Sequence, residues 1–129
     1  MVTEQNKNKI IKLLNQGIQY HHNVVRILKK NPRVFVDQPG DRPSELTQSI
    51  SAAEKCYNEV LNIDKNNYDS LRHLGILYLD QGNTKQAKKN FQKASAHHKK
   101  RHEVYNNLGS VFLKEGSLDE ALKYFKICL

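Results

Sequence analysis

The chain has 129 residues, 38% of them hydrophobic and 26% charged, and a formal net charge of +8 at pH 7. This is enough chain for one folded domain, and 21 Lys and Arg against 13 Asp and Glu favour acidic partners, nucleic acid or an anionic membrane surface. The two cysteines, Cys56 and Cys128, are too few for a disulfide framework, so we expect a reducing compartment with both thiols packed as small apolar groups.

Membrane insertion and secretion are also disfavoured. No uninterrupted apolar run approaches the roughly 18 residues that span a bilayer. The N-terminus lacks the short apolar core and small-residue cleavage site that a signal peptide requires. We therefore expect a cytoplasmic protein.

The first predicted helix covers Glu4 to Lys30. Its apolar side chains fall on one broad arc at about 100° per residue, and polar side chains fill the other side. Asn31-Pro32 ends it, because proline disfavours the helical conformation in the residue before it. Through residue 36, Glu4 is the only acid against seven Lys and Arg. A membrane-surface or transit-peptide role is therefore an alternative to the favoured interpretation, a core-packing helix with a solvated basic face.

A proline-rich break separates this helix from a second one. All three prolines lie in or beside the predicted loop Arg33–Arg42, and Pro39-Gly40 is a turn signal. The second helix is predicted from about Pro43 to Ile63, with apolar side chains at steps of three and four residues. A turn over residues 64–67 follows, in which Asn66 or Asn67 can cap the next helix.

The remaining stretch, Leu71–Leu129, repeats itself at a period of 34 residues. A fixed period of this length indicates stacked repeats. Sliding Leu71–Ser95 onto Tyr105–Leu129 gives seven identities in 25 positions. They are Leu74/Leu108, Gly75/Gly109, Leu79/Leu113, Gly82/Gly116, Ala87/Ala121, Lys89/Lys123 and Phe91/Phe125. Glycine just past a helix end closes it, so four short helices are predicted: Tyr68–Gln81, Thr84–His97, Arg101–Glu115 and Leu118–Leu129.

These units resemble the tetratricopeptide repeat. The family pattern is a large apolar residue, Leu-Gly and an aromatic in the first helix, then Ala, an aromatic and Ala in the second. The matching residues are Leu71, Leu74, Gly75, Tyr78, Ala87, Phe91 and Ala94, then Tyr105, Leu108, Gly109, Phe112, Ala121, Phe125 and Cys128. The resemblance implies an all-α fold, a right-handed superhelical array of antiparallel helix pairs with about six helices.

The resemblance also implies a division of one domain, residues 1–129. It comprises an N-terminal amphipathic helix (1–30), a Pro-rich loop (31–42), the second helix of a divergent first unit (43–67), a second unit (68–101) and a truncated third unit (102–129). Ala53, Tyr57 and Val60 fit the second-helix pattern, and Gly17 and Tyr20 keep the Gly-x-x-aromatic spacing of a first helix. Whether residues 1–48 form a complete unit with an insertion stays open.

The last unit stops inside its second helix, which would leave Ile127, Cys128 and Leu129 partly uncovered. We expect the N-terminal piece of a longer protein. The alternative is that this edge meets another chain, including a second copy by self-association.

In the family, the first helices of successive units line a groove for extended peptides or a partner's helix. Carried over by position, the groove residues are Asp69, Arg72, Ile76, Leu79, Asp80, Glu103, Asn106, Asn107, Ser110, Leu113 and Lys114. Asn107 stands where chaperone-tail binders carry an asparagine and Arg72 where they carry a lysine, but Ile76 replaces their second asparagine. A separate basic patch is predicted at Lys88, Lys89, Lys99, Lys100 and Arg101.

The function predicted is therefore a protein-interaction module or scaffold that binds a partner's peptide or helix, and the positive net charge favours an acidic partner. No catalytic residues, metal ligands or cofactor are predicted, because phosphate loops, nucleophile elbows and ligand spacings are missing from the sequence. One alternative is the N-terminal targeting or substrate-binding domain of a larger enzyme, such as a transferase. The other is nucleic-acid binding through the basic faces, which is disfavoured because single-strand binders interleave aromatics with basic residues.

Overall fold

The computed structural model describes residues 2–32, 43–99 and 101–128, and within these ranges every regular element is an α-helix. There are six: α1 (Glu4–Lys30), α2 (Ser44–Ile63), α3 (Tyr68–Asp80), α4 (Thr84–His97), α5 (Glu103–Lys114) and α6 (Leu118–Ile127). The predicted all-α fold is confirmed, and the predicted helix ends differ by at most two residues. The predicted loop Arg33–Arg42 lies outside the described residues.

The chain forms two compact units, residues 1–65 and 66–129. In the first, α1 packs along α2. Its core combines apolar residues from both helices: Ile10, Leu13, Val24 and Ile27 from α1, and Leu46, Ala53, Cys56, Tyr57 and Val60 from α2. In the second, α3 pairs with α4 and α5 with α6, and α4 also packs on α5. Each helix therefore buries one apolar face against a neighbour.

Side-chain caps fix where three of the helices begin. Oγ1 of Thr3 accepts a hydrogen bond from the Asn6 amide at the start of α1. Of the two candidate asparagines before α3, Asn67 is the cap, since its Oδ1 accepts from the Ser70 amide at 3.0 Å. Asn83 caps α4 in the same way. These bonds satisfy amides that have no partner within the helix.

The two short turns of the second unit have the same geometry. Gly82 and Gly116 have φ of +78° and +81°, in the left-handed region that glycine adopts without strain. In each turn the amide after the glycine donates to a carbonyl five residues earlier, Asn83 to Tyr78 and Ser117 to Phe112, both at 2.9 Å. This is the hydrogen-bond pattern of a glycine-closed helix end, as the period predicted.

One close contact recurs in all three hairpins: a glycine of the first helix lies against an aromatic ring of the second. A Cβ placed on Gly17 would lie 2.6 Å from Cε1 of Tyr57, and one on Gly109 would lie 2.5 Å from Cε1 of Phe125. Gly75 meets Phe91 in the same way, with Cδ1 at 2.6 Å. Only a residue without a side chain allows the helices to approach this closely.

Candidate functional site

The predicted groove lies along the seam between α3 and α5, which are neighbours in the second unit. Three hydrogen bonds cross this seam, each joining residues 35 positions apart. The Tyr68 hydroxyl donates to Oε2 of Glu103 at 3.0 Å, Nη1 of Arg72 donates to Oδ1 of Asn107 at 3.3 Å, and Nζ of Lys114 donates to the Leu79 carbonyl at 3.3 Å. We call Tyr68, Arg72, Leu79, Glu103, Asn107 and Lys114 the α3–α5 seam.

The seam brings together predicted groove residues that are far apart in sequence. Arg72 bonds Asn107 and Lys114 bonds the Leu79 carbonyl, whereas the partner of Glu103 is Tyr68. Elsewhere on the same helices, Asp69, Ile76, Asp80 and Ser110 are half-buried, while Asn106 is exposed and Leu113 is 52% exposed. The Ser110 hydroxyl donates to the Asn106 carbonyl within α5. The surface therefore mixes polar, charged and apolar groups.

Arg72 is a partly buried cation of this surface. Its Nη1 is held by Asn107, while its Nε is buried without a hydrogen-bond partner among the described residues. A buried donor without an acceptor costs about 1–3 kcal/mol. The Asn107 side chain adds the two N–H donors of its amide nitrogen, Nδ2. The pair thus offers donors, which suit a carbonyl or carboxylate.

One end of the seam is built around Tyr68, which the sequence analysis did not single out. The Tyr68 ring packs edge-on against His98 with centroids 5.3 Å apart, and the Arg101 guanidinium lies 4.0 Å from the ring centroid. Nε2 of His98 lies 2.7 Å from the Asn66 carbonyl oxygen, which fixes the imidazole beside the ring. The position 34 residues on is His102, so the repeat comparison gave no aromatic match that would have marked Tyr68.

Titration at this end follows from burial and hydrogen bonding. Burial raises the pKa of Tyr68 to about 12, and the hydrogen bond to Glu103 adds to the shift. The pKa of Glu103 is lowered, first by a backbone hydrogen bond and then by the Tyr68 hydroxyl, with Arg101 and Arg72 contributing as nearby positive charges. Glu103 therefore carries its negative charge at neutral pH and balances the two arginines.

The cations of the predicted basic patch have different surroundings in the described part of the chain. Lys88 pairs with Glu115 at 2.9 Å and lies 4.9 Å from the Phe112 ring centroid. Arg101 lies over Tyr68. Lys89 and Lys99 are exposed, and Lys100 lies outside the described residues. Two of these cations, Lys88 and Arg101, thus lie against aromatic rings of the second unit.

The cysteines differ from each other. Cys56 is buried in the first unit, and burial raises its pKa, as expected for a packed thiol. The expectation for Cys128 was wrong, because its side chain is exposed. It lies just past the end of α6, where its Sγ is 3.5 Å from the His102 carbonyl oxygen and 3.8 Å from that of Tyr124.

Over residues 2–32, 43–99 and 101–128, no group of three or more His, Cys, Asp or Glu side chains is placed to hold a metal ion. None of the helices in these ranges combines the length and apolar character needed to cross a bilayer.

Comparison with known proteins identifies the repeats. Two family models described as tetratricopeptide repeat match residues 56–89 and 102–129. No curated protein matches the chain. A solved structure, the second tetratricopeptide repeat domain of Spaghetti (RPAP3) bound to the HSP90 peptide SRMEEVD, is similar in fold, with a TM-score of 0.58 and 18% sequence identity. The alignment covers 96% of this chain and 94% of that one.

Repeats of this kind are typically non-catalytic interaction modules. Both matched ranges, the 34-residue period and the recurring glycine–aromatic contact agree, so the chain contains tetratricopeptide repeats.

Proposed function

We propose that the chain binds a peptide or a helix of a partner protein along the α3–α5 seam. The observation that carries this proposal is the Arg72–Asn107 pair, in which two donor-rich side chains from successive repeats meet on one surface. A ligand that reaches both would be recognised only when the two repeats are stacked. The groove would then be a product of the fold and not of either helix alone.

The chemistry of the pair points to an oxygen-bearing ligand group. Guanidinium and amide donors recognise carboxylates and backbone carbonyls, and the charged hydrogen bond is the stronger of the two. Ile76 follows Arg72 by one helical turn and Leu113 is half exposed on α5. We therefore propose a ligand with a carboxylate or carbonyl at Arg72 and Asn107 and an apolar side chain beside it.

Charge supports an acidic ligand. The chain carries a net charge of +8, and Arg72 and Lys114 lie at two positions along the seam. The peptide in the similar Spaghetti structure, SRMEEVD, contains three acidic residues. We use it as a probe of acidic-peptide binding, and propose the cytoplasm as the compartment in which such a partner would be met.

The test begins with selection of peptides from a random phage library on the intact chain, with labelled SRMEEVD measured in parallel by fluorescence anisotropy. Each bound peptide is then titrated against Arg72→Ala and Asn107→Ala. Loss of a hydrogen bond to a charged group costs about 1.5–3 kcal/mol, so affinity should fall about tenfold or more in each variant. Lys89→Ala, which removes an exposed cation from α4, is the matched control and should bind as the parent does.

Two results would contradict the proposal. Selected peptides that bind both variants as tightly as the parent would place the site elsewhere. Failure of the library to yield any binder, with the fold verified by circular dichroism, would remove the peptide-binding function. Failure of SRMEEVD alone would only exclude that sequence as a ligand.

A further inference from the structure

We propose that α6 is an interface between two copies of this chain, packed antiparallel about a two-fold axis that passes near Leu122. This inference does not rest on the peptide-binding proposal. Among the residues of α6, Ala121 is the buried one, while Leu118 and Leu122 are 61% and 56% exposed. The two leucines are four residues apart and therefore share one face of the helix. An apolar face of this kind is commonly covered by another protein surface.

The preceding repeat shows what this face does. Leu118 and Leu122 stand 34 residues after Thr84 and Lys88, which are half-buried on α4. There, Lys88 lies over the Phe112 ring of α5 and pairs with Glu115. The corresponding face of α4 thus packs against a helix. On α6 that face bears leucine in place of threonine and lysine, so it suits a helix even better.

Charge determines which orientation two α6 helices can adopt. Asp119 and Lys126 are seven residues apart, so they lie on the same side of α6, next to the leucines. In an antiparallel pair centred on Leu122, Asp119 of each copy lies near Lys126 of the other. In a parallel pair, Asp119 would face Asp119 and Lys126 would face Lys126, which is repulsive. The charge pattern is therefore self-complementary only when the two helices are antiparallel, related by a two-fold axis perpendicular to them.

Head-to-tail stacking of copies through α1 is disfavoured by the residues of α1. We aligned α1, α3 and α5 on the glycine that contacts the aromatic ring in each hairpin. Three positions of this alignment are buried in both α3 and α5, and five of the six residues are apolar: 70, 74 and 77 of α3, and 104, 108 and 111 of α5. The corresponding positions of α1 are the exposed Lys12, Gln16 and Gln19. A polar face of this composition offers little to the leucines of α6, whereas α6 of a second copy offers leucines in return.

One helix from each copy forms a small interface, and small interfaces give weak, concentration-dependent complexes. The experiment is sedimentation velocity of the full chain from low micromolar to near-millimolar concentration. We expect the mass to rise from the monomer value of 14.9 kDa towards twice that value. Leu122→Glu should abolish the increase. Ile11→Glu is the matched control, since Ile11 has the same 56% exposure as Leu122 but lies on α1, and it should dimerise as the parent does.

Charge exchange tests the orientation. Asp119→Lys and Lys126→Asp should each weaken dimerisation by about tenfold or more, because each places two like-charge contacts in the symmetric interface. The double variant should recover affinity close to that of the parent. In a Cys128→Ser background, Leu122→Cys should form a disulfide-linked dimer under mild oxidation, whereas Gln92→Cys, exposed on α4, should not.

The contrary outcomes are equally specific. A parent chain that stays monomeric at the highest concentration overturns the proposal, and so does a dimer that persists in Leu122→Glu. Equal dimerisation affinity of the single and double charge variants would overturn the antiparallel orientation. Circular dichroism of each variant shows that a loss of dimer is not a loss of fold.

Discussion

The first hairpin, α1–α2, differs from the hairpins α3–α4 and α5–α6 in the number of residues that separate the glycine from the aromatic ring it contacts. Tyr57 follows Gly17 by 40 positions, whereas Phe91 follows Gly75 by 16 and Phe125 follows Gly109 by 16. In the first hairpin, α1 continues to Lys30 and α2 starts at Ser44, well before the ring. The contact is common to all three hairpins, while the helix lengths beyond it differ.

The parts of α1 and α2 that lie beyond the Gly17–Tyr57 contact, here called the extension, pack against each other. Val24 and Ile27 on α1 and Leu46 on α2 are almost completely buried in the extended part. Beside them, Nδ2 of Asn23 donates to Oγ of Ser49 at 2.7 Å and to Oε1 of Glu45 at 3.1 Å. An extension of this kind is stable because it adds apolar burial and satisfied polar groups together. We therefore propose α1 and α2 as a first repeat unit with an insertion.

The largest expected effect comes from breaking the contact that the hairpins share. Gly75→Leu and Gly17→Leu place a side chain where a fully buried ring already lies, so each should destabilise the fold by about 3 kcal/mol or more. Gly109→Leu should cost less, because Phe125 is only half-buried and can shift. Urea denaturation followed by circular dichroism measures the three costs.

Gln92→Leu, at an exposed position of α4, controls for the effect of a leucine on a helix and should change stability little. Melting of Gly75→Leu and Gly17→Leu like that of the parent would show that the close approach of the helices is not required. A large cost at Gly75 with none at Gly17 would separate the first hairpin from the others.

Removing packing from the extension alone should have the next largest effect. Leu46 is completely buried on α2, so Leu46→Ala should cost about 2–3 kcal/mol in unfolding free energy. Leu113→Ala, at a half-exposed leucine of α5, should change stability by less than about 0.5 kcal/mol. The same urea denaturation applies. Equal, small effects would mean that the extended ends of α1 and α2 do not support the first hairpin.

The polar network of the extension should contribute less. Asn23→Ala removes two donors and leaves the largely buried Ser49 hydroxyl without one of its partners, so we expect a cost of about 1 kcal/mol. Arg26→Ala should cost close to nothing, because its ion pair with Glu45 is half exposed on both sides. Asn15→Ala, at an exposed position of the same helix, controls for helix propensity. An Asn23→Ala variant as stable as this control would contradict the role of the network.

The sequence was sufficient for the fold because several independent signals coincided. The helix boundaries of the second unit are set by residues close to them in sequence. These are the turn glycines Gly82 and Gly116 and the asparagine caps, and the 34-residue period relates one repeat to the next. The partner of Gly17 was harder to find, since no period links positions 17 and 57. The seam was predictable in part: position in the repeat indicated Arg72 and Asn107, but not that they would bond each other. Tyr68 was missed because its contacts are with His98 and Arg101, which lie between α4 and α5, about 30 residues later in the sequence.

The last difference between the hairpins is the hydroxyl group of the buried aromatic ring, whose effect on stability we expect to be smallest at neutral pH. The first hairpin has Tyr57 where the others have phenylalanine, and burial raises the pKa of this phenol far above its ordinary value. Because the folded state holds the neutral form, its stabilising contribution is complete below the unfolded pKa of about 10 and is lost as pH rises towards the folded value. Tyr68 adds a similar loss between about 10 and 12.

We expect urea stability to fall as pH rises above about 10, and Tyr57→Phe to reduce that fall more than Tyr68→Phe does, since Tyr57 has the larger shift. Tyr20→Phe, at a 45% exposed tyrosine of α1, is the matched control and should leave the profile unchanged. A profile that Tyr57→Phe does not alter would mean that this hairpin opens and admits water to the ring before the phenol titrates. The first hairpin would then be the less stable of the two units under alkaline conditions, despite its longer helices.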